Sequence, residues 1–176
     1  MSATFLSLPA ISDRNLSLYA LPVVYMLAFS PHELKLLRLG TRYNNNKPRD
    51  PVKFRQGDTE TYKQEIEKLG GIHHNGMESW PLFAITLAVA HLMRLPIPYL
   101  NSFALAYTGS RVLYNIVYYN QIGFMSDSAR TGVLGVFGWV CFRKAANSFI
   151  ASVIYVAGMF GCLSVLLKCA GIAAGY

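Results

Sequence analysis

Apolar residues run in four long stretches along the chain, and polar or charged segments separate them. Crossing the hydrocarbon of a bilayer takes about 20 residues of α-helix. We therefore predict four membrane-spanning helices, over residues 16–39, 73–93, 99–121 and 148–167. The fold class that follows is all-α, an integral membrane four-helix bundle, with residues 1–176 forming a single domain.

Residues 16–39 are the least regular of the predicted spans, because Ser30, Pro31, His32 and Glu33 interrupt them. A proline removes a backbone donor from a helix, so we predict a kinked helix whose last turns leave the membrane. The segment also has the length of a signal-peptide core, but no basic run precedes it and further apolar stretches follow. We therefore predict an uncleaved first span.

The C-terminal apolar sequence has two parts. Residues 148–167 have span length and no charge, which makes them the clearest transmembrane segment of the chain. Residues 131–142 are too short to cross a bilayer alone, and Arg143 and Lys144 separate the two parts. The shorter part is open to three interpretations: an interfacial helix, a re-entrant segment, or the start of one long last helix.

The composition supports a membrane protein. Apolar residues make up 53% of the chain and charged residues only 14%, against about 25% charged residues in an ordinary soluble domain. The net charge of +7 is concentrated, since nine of the sixteen Lys and Arg residues lie between Lys35 and Lys68. The positive-inside rule places this basic first loop in the cytoplasm and both termini on the other side. We expect the lipid bilayer as a partner and no nucleic acid.

Two sets of polar residues lie on the predicted second and third helices. Asn75 and Glu78 are three residues apart and share one side of a helix. A carboxylate at this depth is costly unless it faces the bundle and meets a cation, and Arg111 is the obvious candidate. Arg111, Tyr114 and Tyr118 form one stripe of the third helix, suited to lining a polar cavity. For Tyr118, an amphipathic anchor at the membrane interface is an equally good interpretation.

Further arginines lie at the same predicted membrane face. Arg38 and Arg42 end the first span, and Arg130 precedes the last apolar region. Each taken alone is typical of interfacial snorkelling. Together with Arg111 they fit an anionic ligand, because guanidinium groups bind carboxylates in bidentate fashion and keep their charge.

A metal site is not expected. His73 and His74 have no third ligand at a sensible spacing. Cys141, Cys162 and Cys169 all lie in apolar sequence, where a cysteine behaves as a small buried hydrophobic residue. Close helix packing is instead favoured by the small-residue pairs Gly135/Gly138 and Gly158/Gly161, in the bundle core or in an oligomer equally well.

The two polar patterns together resemble a known family. An N-x-x-E-x-x-P motif starts at Asn75, and an R-x-x-Y-x-x-x-Y motif starts at Arg111. The pair is similar to the MAPEG family, the membrane-associated proteins in eicosanoid and glutathione metabolism, over about residues 16–144. The resemblance implies a four-helix protomer, assembled as a homotrimer, with glutathione bound between neighbouring subunits near the cytosolic face.

The resemblance also implies roles for individual residues. Contacts to glutathione, or organisation of its site, would come from Arg38, His73, Asn75, Glu78, Arg111, Tyr114 and Tyr118, with Arg42 as a looser assignment. Arg130 would stabilise the glutathione thiolate, and Arg143 is its competitor. A free thiol has a pKa of about 8.5, so a nearby guanidinium favours the reactive thiolate at neutral pH.

Three functional hypotheses follow. The first is a membrane-bound glutathione transferase or peroxidase that conjugates lipophilic electrophiles or reduces lipid hydroperoxides, with glutathione as co-substrate. The second is a non-catalytic protein that binds a lipid or partner, favoured by Gly71, where many active members carry an arginine, and by Ser79, which replaces an aromatic. The third is a structural bundle whose charges neutralise each other. The family implies the endoplasmic reticulum membrane, with the site facing the cytoplasm, and the outer mitochondrial membrane stays open.

Overall fold

The computed structural model is all-helical in the part of the chain that it describes. It describes residues 14–44, 46, 50–120 and 134–175, with the backbone alone for residues 120 and 134–148. Four helices follow one another: α1 (Ala20–Leu39), α2 (Glu60–Leu92), α3 (Ile97–Asn120) and α4 (Leu134–Ala173). Short 3-10 turns at Ser17–Tyr19 and Gly40–Arg42 flank α1. The predicted all-α four-helix fold is confirmed.

Helix α2 begins well before the predicted second span. Its 33 residues start at Glu60, where the hydroxyl of Thr59 accepts a hydrogen bond from the amide of Tyr62 and caps the helix. Two buried residues of this extension, Ile66 and Leu69, are three positions apart and so lie on one face. Packing of that face keeps the helix continuous through the glycine pair that follows.

Helix α4 is a single helix of 40 residues. Residues 134–142, part of the segment left open by the sequence, therefore belong to the same helix as residues 148–167, whereas residues 131–133 lie outside the described residues. Within the described residues, one helix is long and apolar enough to cross a membrane, over Phe149–Ala173 with a mean hydropathy of 2.2. This segment overlaps the predicted span over residues 148–167. That α1, α2 and α3 also cross the membrane stays a prediction.

The larger hydrophobic core joins all four helices. Phe83 of α2 stacks on Tyr107 of α3, with ring centres 4.1 Å apart. Cys162 and Cys169 of α4 are buried in this core, as predicted, and the side chain of Cys141 lies outside the described residues. Lipid tails are as apolar as these side chains, so close packing rather than transfer from water holds such a core together in a bilayer.

Helix α1 lies directly against α2 and α3. A Cβ added to Gly76 would come within 2.7 Å of the Ala28 Cβ, so only a glycine allows this approach. Pro31 lacks an N–H and leaves the carbonyl of Leu27, four residues earlier, without its helical donor. The side-chain amide of Asn115 on α3 donates to that carbonyl at 3.0 Å. The proline is therefore tolerated because a neighbouring helix satisfies the freed group.

Candidate functional site

Asn75 and Tyr114 join α2 to α3 at the centre of the predicted site. The Asn75 Nδ2 donates a hydrogen bond to the Tyr114 hydroxyl. Tyr114 is buried, and its ring centre lies 5.5 Å from that of Tyr118 and 5.9 Å from that of Tyr155 on α4. The two motifs found in the sequence thus meet in space, and α4 closes the cluster from a third side.

Arg111 is buried among aromatic rings, one turn before Tyr114. The residue is 4% exposed, and its guanidinium carbon lies 4.8 Å from the ring centre of Tyr107 and 5.0 Å from that of Tyr155. A Cβ added to Gly158 would lie 2.7 Å from the Arg111 Nη2, so this glycine makes room for the guanidinium. Cation–π attraction to the two rings partly offsets the loss of hydration.

The charge of Arg111 is nevertheless not matched by an acceptor in the part of the chain that the structure describes. Among the residues that the structure describes, none accepts a hydrogen bond from its Nε, Nη1 or Nη2. Burying an uncompensated charge costs several kcal/mol. A cavity of about 10 Å³ beside Arg111, Tyr114 and Asn115 has barely enough room for one water molecule. Arg111 is therefore the strongest indication of a binding site for an anion or another acceptor.

Glu78 does not supply that acceptor, which corrects the expected Glu78–Arg111 ion pair. The Glu78 side chain is exposed, and no ion pair with a described residue involves it. The next residue, Ser79, is the one buried against α3, where the Tyr107 hydroxyl donates to its carbonyl at 3.1 Å. This register turns Glu78 away from Arg111.

Arg38 is held by an acidic residue of its own protomer. Its Nε lies 3.0 Å from the Glu65 Oε1, and the Tyr119 hydroxyl donates to the same oxygen at 3.2 Å. The Tyr62 hydroxyl donates to the Arg38 carbonyl at 3.0 Å. These contacts tie the ends of α1 and α3 to α2, while 57% of the Arg38 side chain stays exposed.

Arg42 has a separate partner in the first loop. Its Nη1 lies 2.8 Å from the Asp58 Oδ1, and its guanidinium lies over the Tyr62 ring at 5.8 Å. The backbone N–H of Arg55 and the Arg42 guanidinium both lower the pKa of Asp58 below its ordinary value, and the bond to Asp58 raises the pKa of Arg42. No described contact joins Arg42 to the Arg111 cluster. Arg130 lies outside the described residues, so the convergence of the arginines on one ligand stays a prediction.

His73 and Tyr118 lie on two sides of the cluster, His73 toward α1 and Tyr118 beside Gly71 of α2. The His73 Nδ1 donates to the Ala28 carbonyl at 3.0 Å, and its ring lies 4.8 Å from that of His32. A Cβ added to Gly71 would come within 3.1 Å of the Tyr118 hydroxyl. Tyr118 therefore adjoins the position where many active members carry an arginine. Within the described residues, no group of three His, Cys, Asp or Glu side chains is placed to hold a metal.

The two candidates for thiol activation are not placed with their side chains. Arg130 lies outside the described residues, and for Arg143 on α4 the structure describes the backbone alone. Both assignments stay predictions.

The residues that surround Arg111 were not identified from the sequence. Tyr107 lies one helical turn before Arg111, and that spacing is a signal that could have linked the two. Tyr155 and Gly158 lie on α4, and no local pattern connects that helix to Arg111. The sequence did predict that Gly158 allows a neighbouring group to come close. In the structure that group is the side chain of Arg111, whereas the prediction was the backbone of another helix.

The described residues form four helices with a buried polar cluster between them, and one helix, α4, is long and apolar enough to cross a membrane. The MAPEG family model matches residues 17–171, and the chain belongs to the MAPEG family. The match extends beyond the region covered by the two motifs, through most of α4. No curated protein and no solved structure matches the chain. Membership places it among the membrane proteins of eicosanoid and glutathione metabolism.

Proposed function

We propose that the protein is a glutathione-dependent membrane enzyme that conjugates glutathione to lipophilic electrophiles or reduces lipid hydroperoxides. The observation that carries the proposal is Arg111, buried beside Asn75 and Tyr114 without an acceptor from a described residue. A carboxylate of glutathione would supply that acceptor, and a charge-assisted hydrogen bond of this kind is worth about 1.5–3 kcal/mol. Family membership makes glutathione the first ligand to test.

The remaining site residues fit a ligand held at the edge of the protomer. Glu78 is exposed, and more than half of the Arg38 side chain is exposed although its Nε binds Glu65. Both can therefore contact a ligand that extends outward from the Arg111 cluster. We propose a homotrimer in which glutathione lies between neighbouring subunits, with Glu78 binding its amino group. Exposed apolar side chains such as Leu113 and Ile116 on α3 suit lipid or such a neighbour equally well.

The chemistry requires a thiolate in the bound glutathione. Arg130, or Arg143 in its place, would stabilise that thiolate, since a nearby positive charge favours ionisation of a thiol. The membrane location lets a lipophilic electrophile arrive from the bilayer while glutathione arrives from water. We expect the endoplasmic reticulum membrane, with the site facing the cytoplasm, in line with the positive-inside rule.

The test combines glutathione calorimetry with ultraviolet difference absorbance of the thiolate on the detergent-purified protein. Arg111→Met is expected to abolish glutathione binding without loss of fold, because it replaces an unpaired buried charge by an apolar side chain of similar length. Arg130→Ala or Arg143→Ala is expected to remove the thiolate band while glutathione still binds. Wild-type binding by the Arg111→Met variant would refute the proposed site.

One observation favours a non-catalytic alternative. The Tyr118 hydroxyl adjoins Gly71, so the protein lacks the cation that many active members place there. If calorimetry finds no glutathione binding and no thiolate band appears, a lipid-binding or partner-binding role replaces the enzymatic one.

A further inference from the structure

A second polar cavity lies at the end of α1, apart from the Arg111 cluster. It has a volume of about 420 Å³ and is lined by Lys35 and Leu39 of α1, by Arg42, and by residues 43–44 and 50–53 of the first loop. Pockets that bind small ligands have volumes of about 300–1,000 Å³. The cavity is therefore large enough for a phosphate group together with part of the molecule that carries it.

The charges around this cavity are predominantly positive. Lys35, Arg42 and Lys53 contribute three cations, against the single carboxylate of Asp50. Asp58, which binds Arg42, adds a second carboxylate, and the C-terminal end of α1 adds about half a negative charge, so the net charge at the cavity is about +0.5 and comes from the two lysines. A cavity with this balance attracts an anion.

The cations differ in how they are held. Arg42 is oriented by Asp58, which binds its Nη1, so its guanidinium is fixed at the wall. Lys35 is half-buried on α1 and Lys53 is exposed on the loop, and neither forms an ion pair with a described residue. The cavity thus combines one fixed guanidinium with two ammonium groups that are available to a ligand.

The depth of the cavity indicates where its ligand comes from. Leu39, one of its lining residues, is the last residue of the predicted first span. The cavity therefore lies at the level where lipid headgroups begin, on the side that the positive-inside rule assigns to the cytoplasm. The cytoplasmic leaflet carries the anionic lipids of a membrane, which basic pockets at this depth can bind.

We propose that the cavity of Lys35, Arg42 and Lys53 binds a phosphate-bearing anion, supplied by the headgroup of an anionic phospholipid. A lysine ammonium donates up to three hydrogen bonds and the Arg42 guanidinium offers a planar set, which together suit the several oxygens of a phosphate. The site is independent of glutathione binding, because none of its free cations belongs to the Arg111 cluster.

The experiment measures binding to the full-length detergent-purified protein by the shift of its thermal unfolding midpoint. Three probes are titrated: a short-chain phosphatidylinositol phosphate, the corresponding soluble inositol phosphate, and inorganic phosphate. We expect Lys35→Gln/Lys53→Gln to weaken phosphatidylinositol phosphate binding about 30-fold, from the usual attraction of two basic residues to an anionic lipid. Glutathione calorimetry on the same variant is expected to give the wild-type value, which separates this site from the proposed enzymatic one.

The matched control is Arg55→Gln/Lys63→Gln, which removes two positive charges near the same membrane face without touching the cavity lining. An equal loss of lipid binding in this control would show diffuse attraction and overturn the site. Tighter binding of the lipid than of the two soluble probes supports the headgroup as the occupant. Equal binding of the lipid and the inositol phosphate supports the same phosphate site with a soluble occupant. The absence of binding by all three probes refutes the proposal.

Discussion

Replacing Gly158 by alanine tests whether the protein depends on the position of the Arg111 guanidinium. The new Cβ would lie 2.7 Å from the Arg111 Nη2. Ordinary contact between carbon and nitrogen begins near about 3.4 Å, so the guanidinium must retreat by about 0.7 Å. It is the end of a flexible side chain, so it can move without displacing a helix. Gly158→Ala should therefore change the site and leave the fold in place.

The expected magnitude follows from the contacts that Arg111 would lose. A desolvated cation–π contact is worth up to about 2 kcal/mol, and the shift weakens the contacts to Tyr107 and Tyr155 without removing them, so we expect a stability loss of about 1 kcal/mol. A hydrogen bond from the guanidinium to a ligand carboxylate is more sensitive to distance, and loss of about 1.5 kcal/mol there weakens binding about tenfold.

Gly161→Ala is the matched control, because it makes the same change on the same helix and its Cβ would meet nothing within 4 Å. Both variants gain the same helix propensity, worth up to about 1 kcal/mol. The difference between them in unfolding midpoint and in glutathione affinity by calorimetry thus isolates the displacement of Arg111. Equal values for the two variants would refute the role assigned to Gly158.

Three further predictions follow from single contacts. Asn115→Leu removes the shorter of two side-chain hydrogen bonds to the α1 carbonyl freed by Pro31, the other coming from Ser30 at 3.5 Å. It should cost about 1–2 kcal/mol of unfolding free energy in detergent, and Pro31→Ala restores the helical donor and should cancel most of this loss. The pKa of Asp58 is held below 3.8, so its contact stabilises the loop fully above about pH 4. The protection factors of the loop amides in hydrogen exchange should fall as the pH drops through the lowered pKa of Asp58. In the Asp58→Asn variant these protection factors should no longer depend on pH in this range. Gly71→Arg, beside Tyr118, should tighten glutathione binding about tenfold, and calorimetry showing no gain would contradict this.

The helical fold was predictable because its signal is spread over long stretches of sequence. Four apolar stretches gave four helices, and the errors lie at the ends. Helix α2 starts at Glu60 because packing of Ile66 and Leu69 overrides the helix-weakening effect of Gly70 and Gly71. Composition and local propensity do not report such packing in advance.

The site was predictable only where its residues repeat along one helix. Spacing alone brought Arg111, Tyr114 and Tyr118 to one stripe, and the Asn75–Tyr114 hydrogen bond joins this stripe to α2. The sequence could not predict that Glu78 fails to pair with Arg111, because the position of Glu78 depends on the rotation of α2 about its axis. A register that buries Ser79 excludes Glu78 from the same interface.

This separation of Glu78 from Arg111 bears on the interpretation of the protein as a merely structural bundle. In such a bundle, burial of an arginine is tolerated when an acid beside it neutralises the charge. The chain has a glutamate at the right depth, but the fold exposes Glu78 and surrounds Arg111 with aromatic rings that accept no ordinary hydrogen bond. Cation–π attraction to the two rings offsets only part of the cost, and no described residue accepts a hydrogen bond from the guanidinium, which is typical of a side chain that binds a ligand. The energetics of this one side chain therefore favour a binding site over a structural role.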